Sequence, residues 1–170
     1  MIRSAAFRFD FDRDTDRHDS VVRGLEPLQL APPGIAAPCR RDGSVPMTAK
    51  WMVLLAGLFG FLGVGFGAFG AHALKARLSP ELLAVYRTAV EYQFWHALAL
   101  LAVGLLALMR PGPLLGASGW CFALGILIFS GSLYALALSG VRVLGAITPI
   151  GGLLFLAGWA LLTAHAARTL

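Results

Sequence analysis

The chain has 170 residues, of which 58% are hydrophobic and only 14% are charged. Soluble domains average about 25% charged residues, so this composition excludes an ordinary soluble domain and favours a membrane protein. The formal net charge of +5 could suit an acidic partner, but no basic patch with interleaved aromatic residues is present, so we do not expect nucleic-acid binding.

Residues 1–46 differ in composition from the rest of the chain. They hold half of the Lys and Arg residues and seven of the nine acidic residues. Arg and Asp alternate there, Pro and Gly follow, and no helical or strand period persists, which predicts a disordered leader. Met47 and Lys50 then open a typical membrane-protein start. We therefore interpret residues 1–46 either as a disordered leader or as an over-extended gene start, with a membrane domain over residues 47–170.

Four later segments are long and apolar enough to cross a bilayer, which takes about 20 apolar residues in a helix. No alternating pattern typical of a β-barrel competes with this interpretation. Short connections make successive helices antiparallel, so the predicted fold is all-α, an integral membrane four-helix bundle. The predicted spans cover residues 51–71, 92–109, 117–138 and 143–164.

The first span has an alternative interpretation. Ala71, His72 and Ala73 resemble the small-x-small cleavage site of a signal peptide. The apolar part of this span is longer than the usual signal-peptide core of about 7–15 residues, so a membrane helix is favoured.

Four antiparallel spans place both termini on one side of the membrane. Basic residues mark the cytoplasmic side, but their distribution after Met47 is nearly even. The terminal side carries Lys50, Arg110 and Arg168, and the other side carries Lys75, Arg77, Arg87 and Arg142. Arg40 and Arg41 of the leader tip the balance, so we expect cytoplasmic termini.

An amphipathic helical extension precedes the second span. Ser79 suits an N-cap, Pro80 suits the first helical position, and Glu81 favours the positive end of the helix dipole. We therefore predict one helix from Pro80 to Met109. At 1.5 Å per residue it is about 45 Å long, so its first turns extend beyond the hydrocarbon or lie along its surface.

A stripe of glycines follows one face of the first span at spacings i, i+3, i+7 and i+10. Small residues let membrane helices approach closely and gain dispersion contacts. Packing within one chain is the simpler interpretation, and a homodimer interface is the alternative. The stripe consists of Gly60, Gly63, Gly67 and Gly70.

Polar residues gather near the ends of the spans on the non-terminal side. Residues three or four apart share a helix face, and His96 would lie about one turn, roughly 5 Å, inside the rim. We predict one polar cluster at this rim. Its members are His72, Glu91, Tyr92, Gln93, His96, Ser132, Tyr134 and Thr148.

This predicted cluster has three interpretations. Its members can satisfy one another and hold the helices in register, because buried polar groups need partners whatever their role. They can form a proton- or solute-handling site, since histidine titrates near neutral pH. His72 and His96 can also ligate b-type haem or a metal, although two histidines alone are weak evidence and neither cysteine has metal-ligand spacing.

Several motifs resemble those of a known membrane family. "GAFGAHALK", "AVEYQFWHALALL", "LIFSGSLYALALSG" and "LGAITPIGGLLFLAGW" look like the domain of unknown function 423 family. That family contains YgdD-like bacterial inner-membrane proteins and is similar to animal transmembrane protein 256. The resemblance covers about residues 47–168. It implies four membrane helices and a bacterial plasma-membrane location, and it assigns no activity.

Together these observations predict a small multi-pass membrane protein that acts as a non-enzymatic membrane component. We expect no catalytic residues and no resident cofactor or metal. The lipid bilayer is the expected partner, and a homo-oligomer stays open. The alternatives are a small transporter or proton-linked permeation protein that uses His72 and His96, and a haem-binding redox subunit.

Overall fold

The computed structural model describes residues 46–169, so the predicted leader before Pro46 lies outside the described residues. Within this range the chain forms four long apolar helices, which confirms the predicted all-α membrane bundle. Each helix extends beyond the predicted apolar span that it contains. The helices are α1 (Met47–Leu74), α2 (Pro80–Met109), α3 (Pro113–Ser139) and α4 (Arg142–Thr169).

Local sequence explains where the helices begin and end. The Oγ of Ser79 accepts a hydrogen bond from the Leu82 amide at 3.3 Å, and Pro80 follows as the first helical residue. α2 runs from Pro80 to Met109, as predicted. Gly140 terminates α3 with a left-handed φ of 72°, a conformation that glycine adopts without steric cost. The connections between successive helices are short, so successive helices are antiparallel.

The helices pack in chain order, α1 on α2, α2 on α3, and α3 on α4. In the most apolar stretch of each helix, 44% of α2 residues and 39% of α3 residues are buried, against 22% for α1 and 17% for α4. α2 and α3 are therefore central. The outer helices expose large apolar side chains such as Phe61 and Leu156, as expected of surfaces that face lipid.

The bundle has two ends, which we name by their contents. The terminal end contains Met47, the α2–α3 connection and Thr169, where Arg110 Nη1 donates a hydrogen bond to the Thr169 carbonyl. The loop end contains the α1–α2 and α3–α4 connections. One five-residue π-helical turn lies in α1 at Gly70–Leu74 and another in α3 at Ile126–Ser130.

Glycines hold α3 and α4 close together by receiving phenylalanine rings. A Cβ placed on Gly158 would lie 2.7 Å from the Phe122 ring, and one on Gly125 would lie 2.6 Å from the Phe155 ring. A Cβ on Gly151 would lie 2.5 Å from the Phe129 backbone nitrogen. The Ser118 hydroxyl donates to the Gly158 carbonyl at 2.8 Å. These close approaches supply dispersion contacts, which drive helix association in lipid.

Candidate functional site

Gln93, on α2, forms hydrogen bonds to two other helices. Its side-chain Nε2 donates a hydrogen bond to the Phe59 carbonyl of α1 at 2.8 Å. Its Oε1 accepts a hydrogen bond from the Tyr134 hydroxyl of α3 at 2.9 Å. Gln93 is only 3% exposed. One amide side chain therefore connects three helices and has both its donor and acceptor atoms occupied.

A second tyrosine reinforces this joint toward the loop end. The Tyr86 hydroxyl donates to the Phe66 carbonyl of α1 at 3.0 Å, which links α2 to α1 again. The Tyr134 ring lies 5.0 Å from both the Tyr86 and the Phe66 rings, measured between centroids. Tyr86 was not among the members of the predicted polar cluster. Its hydroxyl partner is 20 residues away, so no local pattern could reveal the bond.

A separate hydroxyl pair joins α3 to α4. The Ser132 and Thr148 hydroxyl oxygens are 2.9 Å apart. The Ser132 hydroxyl also donates to the Phe129 carbonyl at 2.9 Å. With the only Ser132 proton used in that bond, the Thr148 hydroxyl is the donor in the pair. The pair therefore satisfies two polar groups across a helix contact.

The imidazole of His96 has a partner on each nitrogen. Nδ1 lies 2.8 Å from the Tyr92 carbonyl, and the Trp159 indole nitrogen lies 3.4 Å from Nε2. An indole N–H can only donate, so Nε2 is the acceptor and Nδ1 carries the proton. The ring also stacks on Phe155, with centroids 3.5 Å apart and planes 9° apart. The neutral ring of His96, which projects from α2, is thus held against α4.

His72 does not join the other members of the predicted cluster. It is exposed in the last turn of α1, whereas His96 is buried. The contacts of Gly63 with Gln93 and of Gly70 with Tyr86 place His96 opposite about residue 60 of α1. Twelve residues then separate the two levels, about 18 Å along the helix. Two nitrogens that bind one metal lie about 4 Å apart. His72 and His96 are therefore too far apart to ligate the same metal, contrary to the third interpretation of the cluster.

The depth predicted for Gln93 and His96 is also corrected. The prediction placed the start of the second span at Tyr92 and hence His96 near the rim. α1 has 28 residues, and its Phe59, the partner of Gln93, lies near its midpoint. The error arose because the apolar run of α2 starts well after the helix itself has begun. The Gln93 bridge and the His96 ring therefore lie in the middle of the bundle, not at its rim.

Glu91 and Tyr92 lie outside the buried bridges, although they adjoin them in sequence. Glu91 is exposed, and Tyr92 is 42% exposed. The Tyr92 ring stacks against Phe129 with centroids 4.5 Å apart. The single predicted cluster is therefore divided into the Gln93–Tyr134 bridge, the Ser132–Thr148 pair and the His96 ring stack, with His72 and Glu91 apart.

Most of the glycine stripe faces α2 within the same chain. A Cβ on Gly63 would lie 3.5 Å from the Phe94 ring, one on Gly67 would lie 3.4 Å from Val90, and one on Gly70 would lie 2.7 Å from the Tyr86 ring. Gly60 faces open space among the described residues. Three of the four glycines thus serve close packing inside the bundle. A homo-oligomer built on this stripe stays a prediction.

Two buried polar atoms have no hydrogen-bond partner among residues 46–169. They are Ser130 Oγ, in the π-helical turn of α3, and His165 Nε2, near the terminal end of α4. The same part of the chain contains no group of three or more His, Cys, Asp or Glu side chains that could hold a metal ion.

Four apolar helices with polar bridges in their interior define a multi-pass membrane protein. The chain belongs to the family described as protein of unknown function DUF423, whose family model matches residues 66–152. This segment runs from the end of α1 into α4 and includes Gln93, Tyr134 and Thr148. The membership predicted from the sequence motifs is confirmed.

The relatives are bacterial membrane proteins. UPF0382 membrane protein SH2409 of Staphylococcus haemolyticus is 47% identical over 113 residues, covering 66% of this chain and 92% of its own. The UPF0382 inner membrane protein YgdD of Escherichia coli K12 is 42% identical over 122 residues, covering 72% and 93%. YwdK of Bacillus subtilis is 39% identical over 122 residues, covering 71% and 99%. No solved structure matches the chain significantly.

Proposed function

We propose that this chain is a non-enzymatic structural component of the bacterial plasma (inner) membrane. The observation that supports the proposal most directly is the Gln93 bridge, because its two hydrogen bonds hold α1, α2 and α3 together. A buried polar residue with both ends used in helix contacts is available for holding register and not for binding a solute. The location is supported by the E. coli relative, which is named as an inner membrane protein.

The geometry around the histidines favours neither alternative function. A haem or metal ligand needs a free imidazole nitrogen, and both nitrogens of His96 have partners. A proton relay needs a chain of titratable or hydroxyl groups. The rings around His96 are instead apolar ones, Phe122, Phe155 and Trp159 beside Tyr92.

Spectroscopy and flux measurements on the purified full-length protein test this proposal. In detergent we expect no Soret band and no stoichiometric metal. In proteoliposomes loaded with a pH-sensitive dye we expect proton flux equal to that of protein-free vesicles, for the wild type and for His96→Phe alike. Phenylalanine keeps an aromatic ring against Phe155 but removes both nitrogens, so it isolates the role of the imidazole.

Two results would overturn the structural role. A Soret band that disappears in His96→Phe would assign a haem function. A proton flux well above the vesicle background that falls in His96→Phe would assign permeation. Circular dichroism at matched concentration shows whether the variant has kept its helices, so that a folding defect is not read as a lost activity.

We also propose that both termini of the four-helix unit, and therefore the terminal end of the bundle, face the cytoplasm. Lys50, Arg110 and Arg168 flank the terminal end, and Arg40 and Arg41 precede it in the sequence; such basic flanks favour the cytoplasmic side. A reporter active only outside the cytoplasm should therefore be inactive when fused after Leu170. It should be active when fused after Gly140, in the α3–α4 connection. The reverse pattern would show the opposite orientation.

A further inference from the structure

A groove between α1 and α2 opens on the outside of the bundle, toward the loop end. Its floor consists of the small residues Gly67, Gly70 and Ala71 of α1, and its volume is about 140 Å³. Arg87 and Glu91 of α2 line the other wall beside Tyr86. Both charged residues are exposed. The groove therefore combines a floor without bulky side chains and one charge of each sign.

The two charged side chains lie at different levels along α2. Counted along α2 at 1.5 Å per residue, Glu91 lies about 7 Å and Arg87 about 13 Å from the level of His96, toward the loop end. Glu91 therefore lies nearer to the middle of the bundle than Arg87 does. An acidic side chain on a membrane helix is costly without a cation, which Arg87 or a bound cationic group can supply.

We propose that this groove binds the headgroup of an aminophospholipid, with the phosphate on Arg87 and the primary ammonium on Glu91. Arg87 and Glu91 are one helical turn apart, about 6 Å along the axis. The headgroup of phosphatidylethanolamine carries its two charges a two-carbon bridge apart, which is the same arrangement of one anion beside one cation. The inference rests on insertion of the helices in a membrane and not on the proposed structural role.

The chemistry of the groove favours the primary amine of phosphatidylethanolamine over the headgroups of other phospholipids. Glu91 is exposed and lines the groove, so an ammonium group bound in the groove can reach its carboxylate. A primary ammonium then donates charge-assisted hydrogen bonds to the carboxylate, and these are stronger than neutral ones. The quaternary amine of phosphatidylcholine has no N–H donor and is bulkier. Phosphatidylglycerol has the phosphate but no cation for Glu91.

A methylation series of one lipid tests the inference on the wild-type protein. The full-length protein in detergent is titrated with phosphatidylethanolamine, its N-methyl and N,N-dimethyl derivatives, and phosphatidylcholine, all with the same acyl chains. Bound lipid is counted by native mass spectrometry. We expect phosphatidylethanolamine to bind about tenfold more tightly than phosphatidylcholine, which has no N–H donor, since one charge-assisted hydrogen bond is worth about that ratio. The two methylated derivatives keep an N–H donor, so their affinities should not fall below that of phosphatidylcholine. Equal affinity across the series would overturn the proposal.

Two variants and a matched control locate the site. Glu91→Gln should abolish the preference for the primary amine while phospholipids still bind. Arg87→Gln should weaken binding of every phospholipid in the series. Arg142→Gln removes an exposed arginine at the same end of the bundle and should change nothing. A preference that survives in Glu91→Gln, or that is lost equally in Arg142→Gln, would contradict the assignment. Because the methylation series needs no variant, the test stands even if a substitution prevents folding.

Discussion

Gly151→Ala should destabilise the protein by about 1–3 kcal/mol, because overpacking a close contact costs that much. The added Cβ would lie 2.5 Å from the Phe129 backbone nitrogen and 2.7 Å from the Phe129 Cβ. A backbone atom cannot rotate away, so α3 and α4 must separate. The free energy of unfolding is measured by titrating the purified protein with sodium dodecyl sulfate in mixed micelles and following helicity.

The neighbouring glycine provides the control. A Cβ on Gly152 would lie 3.8 Å from the Phe129 ring, an ordinary van der Waals distance. Alanine favours helix over glycine by about 1 kcal/mol, so Gly152→Ala should be neutral or stabilising. Opposite signs for adjacent residues would establish the close α3–α4 contact. Equal effects of the two substitutions would mean that Gly151 does not face Phe129.

Gln93→Leu should lower the free energy of unfolding by about 1–3 kcal/mol. The substitution removes the hydrogen bonds to Phe59 and Tyr134 and leaves the half-buried tyrosine hydroxyl without its acceptor. An unsatisfied buried polar group costs about that amount, whereas a single hydrogen bond between membrane helices averages about 0.6 kcal/mol. The same detergent titration measures the loss.

A double-mutant cycle separates the bridge from simple packing. When both partners are removed, in Gln93→Leu with Tyr134→Phe, no unpaired group is left, so the double variant should lose less than the sum of the single losses. Tyr92→Phe removes a hydroxyl from a tyrosine that is 42% exposed and serves as the control without a bridge. Losses that add to within about 0.5 kcal/mol would show that Gln93 and Tyr134 are not coupled.

The start of α2 could be predicted because it depends on local chemistry. Ser79 and Pro80 start α2 where the capping pattern predicts, and Gly140 ends α3. The glycine stripe was readable for the same reason, since helical spacing places its members on one face. The α4 glycines Gly151 and Gly158 have the same seven-residue spacing as Gly60 and Gly67. That signal was available for the α3–α4 contact as well.

The composition of the polar site could be predicted better than its arrangement. Gln93, Tyr134, Ser132 and Thr148 do form interhelical hydrogen bonds. Their division into separate pairs depends on how far each helix extends past its apolar run, which shifts the level at which residues of different helices meet. For this reason His72 was grouped with His96 although their levels differ. Trp159, which was not among the predicted site residues, meets His96 inside the bundle.

The sequence by itself determined the membrane class, the four helices and their order, because burial in lipid requires long apolar helices with every backbone group paired internally. Only the tertiary structure decided the partner of each polar group. Gln93 and Tyr134 are 41 residues apart, and packing contacts between α2 and α3 bring them together. Those contacts depend on atoms from two distant segments at once, which no local pattern contains.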